Sequence, residues 1–275
     1  SEGGEALANV LCKNPILTTL NLDHNNLKSE ENTTLTSLHL YNNNLGSESG
    51  KALANALCKN TMLTTLDLGH NNLGSEGVKA LVNTLCKNTT LMSLYLYNNN
   101  LGSEEGKVLE NTLCKNTTLI YLHFYNNNLE SKSGKALANA FCKNTTLTTL
   151  DLGYNNLGLE GGKALNITLK NLNLNLNNLG FEGGKVLANA LCKNITLTSL
   201  HLYDNNLGSE GGKALANALL KNTALENLNL YSNQLGSESE KALADTLCKN
   251  IMLKDLNLWS NNLELDIGKA LKAAF

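Results

Sequence analysis

The sequence predicts an α/β fold, a right-handed horseshoe solenoid with a parallel sheet on its concave side and helices on its convex side. One observation is that the pattern L-x-x-L-x-L-x-x-N-x-L occurs ten times, and another is that most copies begin 28 residues apart. Such self-similarity indicates stacked units that share one continuous core. The copies begin at Leu17, Leu35, Leu63, Leu91, Leu119, Leu147, Leu169, Leu197, Leu225 and Leu253.

The leucines at the start of each copy predict a short strand. In the copy that begins at Leu91, alternation with period two turns Leu94 and Leu96 towards the core, and Tyr95 and Tyr97 away from it. An asparagine follows each strand, and we interpret it as a structural ladder, because its amide can pair the backbone groups that a turn leaves free. These asparagines are Asn25, Asn43, Asn71, Asn99, Asn127, Asn155, Asn177, Asn205, Asn233 and Asn261.

The second half of each unit predicts a helix. After Leu101, Gly102 makes the turn, Ser103 is the expected N-cap, and Leu109 and Leu113 face the sheet. Neighbouring helices lie about 8–10 Å apart and neighbouring strands about 4.8 Å apart. Stacking therefore bends the array and places the strands on its concave side.

The chain is predicted to be a single domain, 1–275, of about ten units. Two units are shortened, near 28–34 and near 158–168. The first leaves too few residues for a normal helix, and the second has room for about two turns from Glu160 to Thr168. A thin convex cover is expected at both places.

The repeat pattern, its period and the segment G-S-E-G-G-K-A-L-A-N-A-L-L-K-N at 208–222 resemble the leucine-rich repeat family, and its ribonuclease-inhibitor-like subtype in particular. That subtype also supplies the repeat domains of NACHT-type intracellular receptors and of Ran GTPase-activating proteins. The resemblance covers the whole chain and implies its architecture more firmly than its function.

Charge and composition give no reason to expect nucleic acid as a partner. The net charge is −2, the pI is near 6.2, and every basic residue is lysine, whereas arginine is the preferred residue for bidentate phosphate and base recognition. No apolar run is long enough to cross a membrane, and no secretion signal opens the chain. Ser1 aligns with Ser47 in the middle of a unit, which is compatible with missing upstream residues.

The cysteines all occupy one position, in the sequence L-C-K-N or F-C-K-N. Equivalent positions on neighbouring helices lie roughly 8–10 Å apart, whereas a disulfide needs Cα atoms within about 7 Å. We expect reduced, partly buried thiols and therefore a cytoplasmic location, with metal binding or redox sensing as the alternative. The cysteines are Cys12, Cys58, Cys86, Cys114, Cys142, Cys192 and Cys248.

Asn-x-Thr sequons raise the opposite possibility of a glycosylated, secreted protein. The free cysteines favour a different interpretation, in which a K-N-T-T turn has been copied by repeat duplication. The sequons begin at Asn32, Asn88, Asn116, Asn144, Asn166 and Asn194.

All eight tyrosines, all five histidines and Trp259 fall on outward positions of the strands or of their exits. Tyrosine and tryptophan offer large contact areas and are enriched in binding hot spots. The concave face is therefore predicted to bind protein, although copied cross-strand stacking would give the same pattern. The predicted protein-binding residues are Tyr41, Tyr95, Tyr97, Tyr121, Tyr125, His123, His201, Tyr203, Tyr231 and Trp259.

No metal site, cofactor or catalytic residue is predicted. His39, His123 and His201 share one column but come from units two or more apart, so they do not converge as zinc ligands must. No nucleophile, base and orienting group fall together on adjacent strands, and no P-loop motif occurs. Acidic residues on the concave side slightly outnumber basic ones, so a weakly basic or polar partner is compatible with it.

The sequence thus predicts a non-enzymatic protein-interaction module, as a monomer or with weak self-association. By resemblance, its setting is an intracellular regulator or the recognition domain of a receptor. One alternative is a GTPase-activating protein similar to the Ran regulators, although the chain has no arginine to stabilise phosphoryl-transfer charge. A second alternative is a passive structural repeat that assembles through its convex face or its ends.

Overall fold

The computed structural model describes residues 18–25, 35–165 and 168–263. In this part of the chain ten three-residue strands form one sheet, and every neighbouring pair is parallel and in chain order. The strands are β1 Thr19–Asn21, β2 Ser37–His39, β3 Thr65–Asp67, β4 Ser93–Tyr95, β5 Tyr121–His123, β6 Thr149–Asp151, β7 Asn171–Asn173, β8 Ser199–His201, β9 Asn227–Asn229 and β10 Asp255–Asn257.

Seven α-helices lie in the described residues. They are α1 Gly46–Lys59, α2 Gly74–Thr84, α3 Gly106–Leu113, α4 Glu130–Phe141, α5 Gly180–Leu191, α6 Gly208–Leu219 and α7 Gly236–Leu247. Each helix follows one strand and leads into the next, so strands and helices alternate through the sheet. The predicted α/β solenoid is confirmed.

A leucine core fills the space between sheet and helices. The central residue of every strand is leucine, and these leucines pair with one another in register, as Leu94 does with Leu66 and Leu122. Leu94 and Leu109 on the facing helix are each 1% exposed. Because each unit alone has only one face to bury, stacking on its neighbours is what removes this apolar surface from water.

The predicted asparagine ladder is confirmed and joins each unit to the one before it. Asn99 is fully buried, and its Oδ1 accepts the backbone N–H of Asn71 at 3.2 Å. Its Nδ2 donates to the carbonyl of Leu68 in the preceding unit at 2.8 Å and to that of Leu96 in its own unit at 3.1 Å. The same bonds recur along the sheet, so buried backbone groups at each turn are paired.

From Asn43 onwards, the residues on either side of each ladder asparagine adopt left-handed backbone conformations. Asn98 has φ of 56° and Asn100 has φ of 53°. Asparagine, aspartate and histidine tolerate this region better than other non-glycine residues. The recurrent N-N-N sequence is thereby explained, because the turn needs the ladder amide between two left-handed positions.

The prediction of Ser103 as an N-cap is wrong. Ser103 lies inside a 3-10 turn, Ser103–Glu105, and the residue before that turn provides no side-chain cap. The residue before that turn is Gly102, and Gly74 is its equivalent in the preceding unit. Gly74 donates its N–H to the carbonyl of Asn99 at 3.0 Å. Leu73 donates its N–H to Asn99 Oδ1 at 3.2 Å. The neighbouring unit thus supplies the acceptors that a cap would otherwise provide.

The described residues of the shortened unit near 158–168, which exclude 166 and 167, form no α-helix where about two turns from Glu160 to Thr168 were expected. A 3-10 helix, Gly158–Lys163, crosses the convex side instead. Leu159 is 41% exposed and Phe181 beside it is 49% exposed, which agrees with the predicted thin cover. The shortened unit near 28–34 lies outside the described residues.

The cysteines of the described part are free thiols, but the expected partial burial is wrong at Cys58, Cys86, Cys142 and Cys248, which are exposed. Cys114 and Cys192 are half-buried. Cys58 lies at the C-terminal end of α1, and Cys142, Cys192 and Cys248 directly follow the last residues of α4, α5 and α7. Cys12 is outside the described residues.

Four of the sequon asparagines are buried structural residues. Asn88 Oδ1 accepts the N–H of Leu91 at 2.8 Å, and its Nδ2 donates to the carbonyl of Leu57 at 3.0 Å. Asn116, Asn144 and Asn194 are likewise at most 6% exposed. Because a glycan would attach to this buried Nδ2, the folded chain cannot carry one at these four positions. Asn32 and Asn166 lie outside the described residues.

We predict that Asn99→Ala lowers the free energy of unfolding by about 3 kcal/mol, because it leaves several buried backbone groups unpaired. Chemical denaturation followed by circular dichroism measures this loss. Asn111→Ala is the matched control, since Asn111 is an exposed residue of α3 in the same unit. Equal effects of the two substitutions would contradict a structural role for the ladder.

Candidate functional site

Three columns of side chains cover the concave face. The first column holds the first residue of each strand, Thr19, Ser37, Thr65, Ser93, Tyr121, Thr149, Asn171, Ser199, Asn227 and Asp255. The second holds the last residue of each strand, Asn21, His39, Asp67, Tyr95, His123, Asp151, Asn173, His201, Asn229 and Asn257. The third lies two residues further on, Asp23, Tyr41, Gly69, Tyr97, Tyr125, Gly153, Asn175, Tyr203, Tyr231 and Trp259.

The larger aromatic cluster runs through the first six units. Tyr41 stacks on Tyr97 with 5.8 Å between ring centroids, and Tyr97 lies 5.1 Å from His123. His123 also approaches Tyr95 at 5.8 Å and Tyr125 at 6.5 Å. The cluster comprises His24, Tyr41, His70, Tyr95, Tyr97, Tyr121, His123, Tyr125 and Tyr154.

The smaller aromatic cluster is formed by Tyr203, Tyr231 and Trp259. Tyr231 lies 4.8 Å from Tyr203 and 6.0 Å from Trp259. Trp259 is 78% exposed, so much of its indole faces solvent. The predicted binding residues other than His201 therefore fall into two groups.

A depression of about 320 Å³ lies between the two clusters. Tyr121 and Asp151 line it on the side of the larger cluster, and His201 lines it on the other side. Asn171 and Asn173, in the unit that follows the shortened one, line it together with the strand leucines Leu150 and Leu172. His201 is therefore part of this depression rather than of either aromatic cluster.

Two glycines of the third column are seats for neighbouring rings. A methyl group on Gly69 would lie 2.2 Å from Cζ of Tyr97, and one on Gly153 would lie 2.8 Å from Cδ2 of Tyr125. Both distances are far below van der Waals contact, so neither ring could lie where it does over a larger residue. The glycines that interrupt the tyrosine column thus position the rings of Tyr97 and Tyr125.

Aspartates of the second column hold the backbone beneath these glycines. Asp67 Oδ1 accepts the N–H of Gly69 at 2.9 Å, and Asp151 Oδ1 accepts that of Gly153 at 2.9 Å. Asp151 Oδ2 also lies 2.8 Å from Nε2 of His123. Burial raises the pKa of Asp67, and the hydrogen bond from Gly69 opposes that rise.

The tyrosines around Asp67 have raised pKa values. Burial raises the pKa of Tyr97 well above its ordinary value, and the charge of Asp67 raises it further. Burial also raises the pKa of Tyr95, and the neighbouring Tyr121 and Asp67 add to that rise. These phenols are therefore hydrogen-bond donors at neutral pH.

The structure contains two serine–histidine pairs that the sequence analysis did not identify. Ser37 Oγ lies 3.0 Å from Nε2 of His39, and Ser199 Oγ lies 3.1 Å from Nε2 of His201. Residues two apart on a strand share a face, so the spacing itself was the available signal. Within the described ranges no ion pair joins His39 to Asp67, its partner in register on β3.

His24, His70 and Tyr154 belong to the larger cluster but were not among the predicted binding residues. They occupy the left-handed position directly after the third column, with φ between 54° and 62°. This conformation directs their rings back over the sheet towards Tyr41, Tyr97 and Tyr125. The strand pattern alone gives no signal for it, because the period of two ends at the turn.

In the part of the chain that the structure describes, no group of three or more histidine, cysteine, aspartate or glutamate side chains could hold a metal ion. None of the helices described there is long and apolar enough to span a membrane.

Comparison with known proteins agrees with the architecture. A family model described as "Leucine Rich repeat" matches residues 13–30, 31–54, 59–82, 115–138, 143–165, 166–188 and 193–216, which is more than half of the chain. A search of curated protein sequences found no match.

Solved structures give two similar folds. The leucine-rich repeat-containing protein LegL7 from Legionella pneumophila is 22% identical with a TM-score of 0.58, and the match covers 94% of this chain and 90% of that one. A structure titled "Leiomodin-1 Actin-Binding Site 2 (ABS2)" is 21% identical with a TM-score of 0.41, and the match covers 47% of this chain and 79% of that one. The likeness to LegL7 concerns the fold alone.

We predict that Gly69→Ala displaces the ring of Tyr97 while the backbone stays folded. The added methyl group meets the far end of a side chain that can swing away, so the loss of stability should stay below about 1.5 kcal/mol, the scale of one aromatic pair. Near-ultraviolet circular dichroism should change, and the far-ultraviolet spectrum should not. Ser93→Ala on the same face is the control. Identical near-ultraviolet spectra for the two variants would contradict the conclusion that Gly69 positions the ring of Tyr97.

We predict that Asp67→Asn raises stability at about pH 7, because asparagine can keep the bond to Gly69 without a buried charge. Asn173 and Asn229 accept the equivalent N–H groups in their own units. Since burial raises the folded pKa of Asp67, the charge destabilises the natural chain above that pKa, and the penalty disappears as the pH falls through it. The stability advantage of Asp67→Asn should therefore shrink towards about pH 4.

Denaturant titrations at both pH values test this prediction. Asp151→Asn is the matched control, because it keeps the bond to Gly153 but loses the carboxylate oxygen that lies 2.8 Å from Nε2 of His123. It should lower stability where Asp67→Asn raises it. A stability gain for Asp67→Asn that is the same at both pH values would contradict the explanation by burial.

Proposed function

Since this chain belongs to the leucine-rich repeat family, we propose that it is a non-enzymatic module that binds a protein partner on its concave face. The observation that carries the proposal is the larger aromatic cluster, an unbroken group of aromatic side chains on one side of the sheet. Aromatic rings supply large contact areas with few rotatable bonds, which is why they dominate binding hot spots.

Exposure of the rings favours recognition over passive stacking. Tyr154 is 50% exposed and Trp259 is 78% exposed, so each leaves much apolar surface in water. Cross-strand stacking needs only the contact between neighbouring rings, and it gives no reason to leave such surface uncovered. A partner seated on the concave face would bury it.

The face is also pre-organised. Tyr97 is fixed by its seat on Gly69, and Tyr125 by its seat on Gly153. At the exit of the strands, neighbouring amides bond to one another, as Asn72 Nδ2 does to Asn44 Oδ1 at 2.8 Å. Side chains that are already ordered lose little entropy when a partner docks, so more of the contact energy becomes affinity.

The setting we propose is cytoplasmic, in an intracellular regulator or the recognition domain of a receptor of the ribonuclease-inhibitor-like subtype. Exposed free thiols such as Cys58 and Cys86 are kept reduced in that compartment. Buried sequon asparagines such as Asn88 and Asn116 point the same way, because glycosylation would block their hydrogen bonds. The chain is proposed to be monomeric or to self-associate weakly.

Affinity capture from a cell extract tests the proposal. The natural chain is compared with a variant that combines Tyr97→Ala, Tyr125→Ala and Tyr203→Ala. We expect a protein retained by the natural chain to be lost from this variant, because two of its substitutions remove rings from the larger cluster and one from the smaller. Circular dichroism must show that the variant is folded.

The matched control combines Lys107→Ala, Lys135→Ala and Lys193→Ala, three exposed positions on the convex side. It should retain the partner. Retention by both variants, or loss only from the lysine variant, would overturn binding on the concave face. A rise of mass with concentration in light scattering, unaffected by the tyrosine substitutions, would support passive assembly instead.

A further inference from the structure

Asp67 and Asp151 occupy the same position in two D-L-G sequences but differ in their partners. Both use Oδ1 to hold the glycine two residues later. Asp151 Oδ2 is paired with His123 at 2.8 Å. Among the described residues Asp67 forms no ion pair, so its second carboxylate oxygen has no cation beside it.

The surroundings of Asp67 make an unpaired charge unfavourable. It is half-buried, between His39 and Tyr95 in the second column. The ring of Tyr97 lies over Gly69, two residues further along the same unit. The ionisable groups that act on Asp67 are Asp23, which disfavours its charge, and His39 and His123, which favour it. A partly desolvated carboxylate without a counter-charge is strongly stabilised when a cation arrives.

The charge of the whole concave face points to the same class of ligand. The three columns contain four aspartates, Asp23, Asp67, Asp151 and Asp255, and neither lysine nor arginine. Among the described residues, the lysine ion pair of this side runs from Lys254 to Glu226 at 2.9 Å and lies outside the columns near the far end of the sheet. No side chain of the columns can therefore supply a lysine or arginine cation to Asp67.

Aromatic faces beside the carboxylate add a second attraction. Tyr95 is the partner of Asp67 in register on β4, and the ring of Tyr97 lies over Gly69, two residues from Asp67. A cation over a tyrosine face gains about 0.5–1 kcal/mol when exposed and about 2 when desolvated. A carboxylate and two tyrosine rings together suit a flat cation, which can pair with the carboxylate and stack on a ring.

We propose that Asp67, Tyr95 and Tyr97 form the seat for an arginine side chain presented by the protein partner. The inference rests on the proposed function and specifies the chemistry of its partner. Arginine suits the seat better than lysine, because guanidinium is planar, weakly hydrated and able to stack on a ring while it donates to a carboxylate. The free Asp67 Oδ2 accepts from the guanidinium, and the tyrosine rings cover its faces.

A small probe tests the seat without knowledge of the partner. N-acetyl-L-arginine methylamide is titrated into the full chain at low ionic strength, and the backbone amide of Gly69 is followed by NMR. We expect saturable shifts in the natural chain and affinity about tenfold lower in Asp67→Asn. Asp255→Asn is the control, because this aspartate of the first column lies on β10 at the far end of the sheet, and the affinity of this variant should stay within about twofold of the natural value.

Two further probes separate charge from shape. The citrulline analogue has the same size without the charge and should give no saturable shift. The lysine analogue should bind more weakly than the arginine probe. Equal shifts with arginine and citrulline, or unchanged binding in Asp67→Asn, would overturn the proposal.

Failure of the arginine seat can be distinguished from failure of the proposed function. If a captured partner is lost from the tyrosine variant yet retained by Asp67→Asn, and the arginine probe does not bind, the concave face is the binding surface and the arginine seat is wrong. If the probe binds through Asp67 but no partner depends on the tyrosines, the seat exists and the proposed function fails.

Discussion

The buried amide that follows each strand is the interaction on which the rest of the structure depends. Asn127 Oδ1 accepts the N–H of Asn99 at 2.9 Å, and Asn155 Oδ1 accepts that of Asn127 at 2.9 Å, so each turn is held by the next unit. From Asn43 onwards, each ladder amide also donates to a carbonyl of the preceding unit, as Asn127 does to Leu96, so the register between these neighbours is fixed at each step. The alignment of side chains into columns is a consequence of this register.

The fold could be predicted from the sequence because its determinants are local and periodic. Leucine spacing placed the strands, and the position of Asn99 identified the ladder before its partners were known. Ser103 was misassigned because the acceptors that replace a cap come from the neighbouring unit, which a local pattern does not contain. The 3-10 helix Gly158–Lys163 was missed for a similar reason, since the space available above the sheet is set by the units on either side.

The candidate site was less predictable than the fold. Alternation identified outward positions, but it gave no direction for a ring once outside the sheet. Tyr97 leans back over Gly69 of the preceding unit, whereas Tyr125 leans forward over Gly153 of the following unit. His123 lies between them and contacts both. The direction of each ring depends on which neighbouring unit has a glycine, because a glycine leaves room for the ring. The glycines that interrupt the tyrosine column therefore help to shape the concave surface.

The shortened unit shows that the two sides of the array can change length independently. Asn155 donates its N–H to Asn177 Oδ1 at 3.2 Å although 22 residues separate them, where most other ladder partners lie 28 apart. Residues removed from the convex side thus leave the hydrogen-bonded edge intact. In evolution, deletion and recombination can therefore shorten or exchange the outer segments while the order of the side chains on the concave face is preserved.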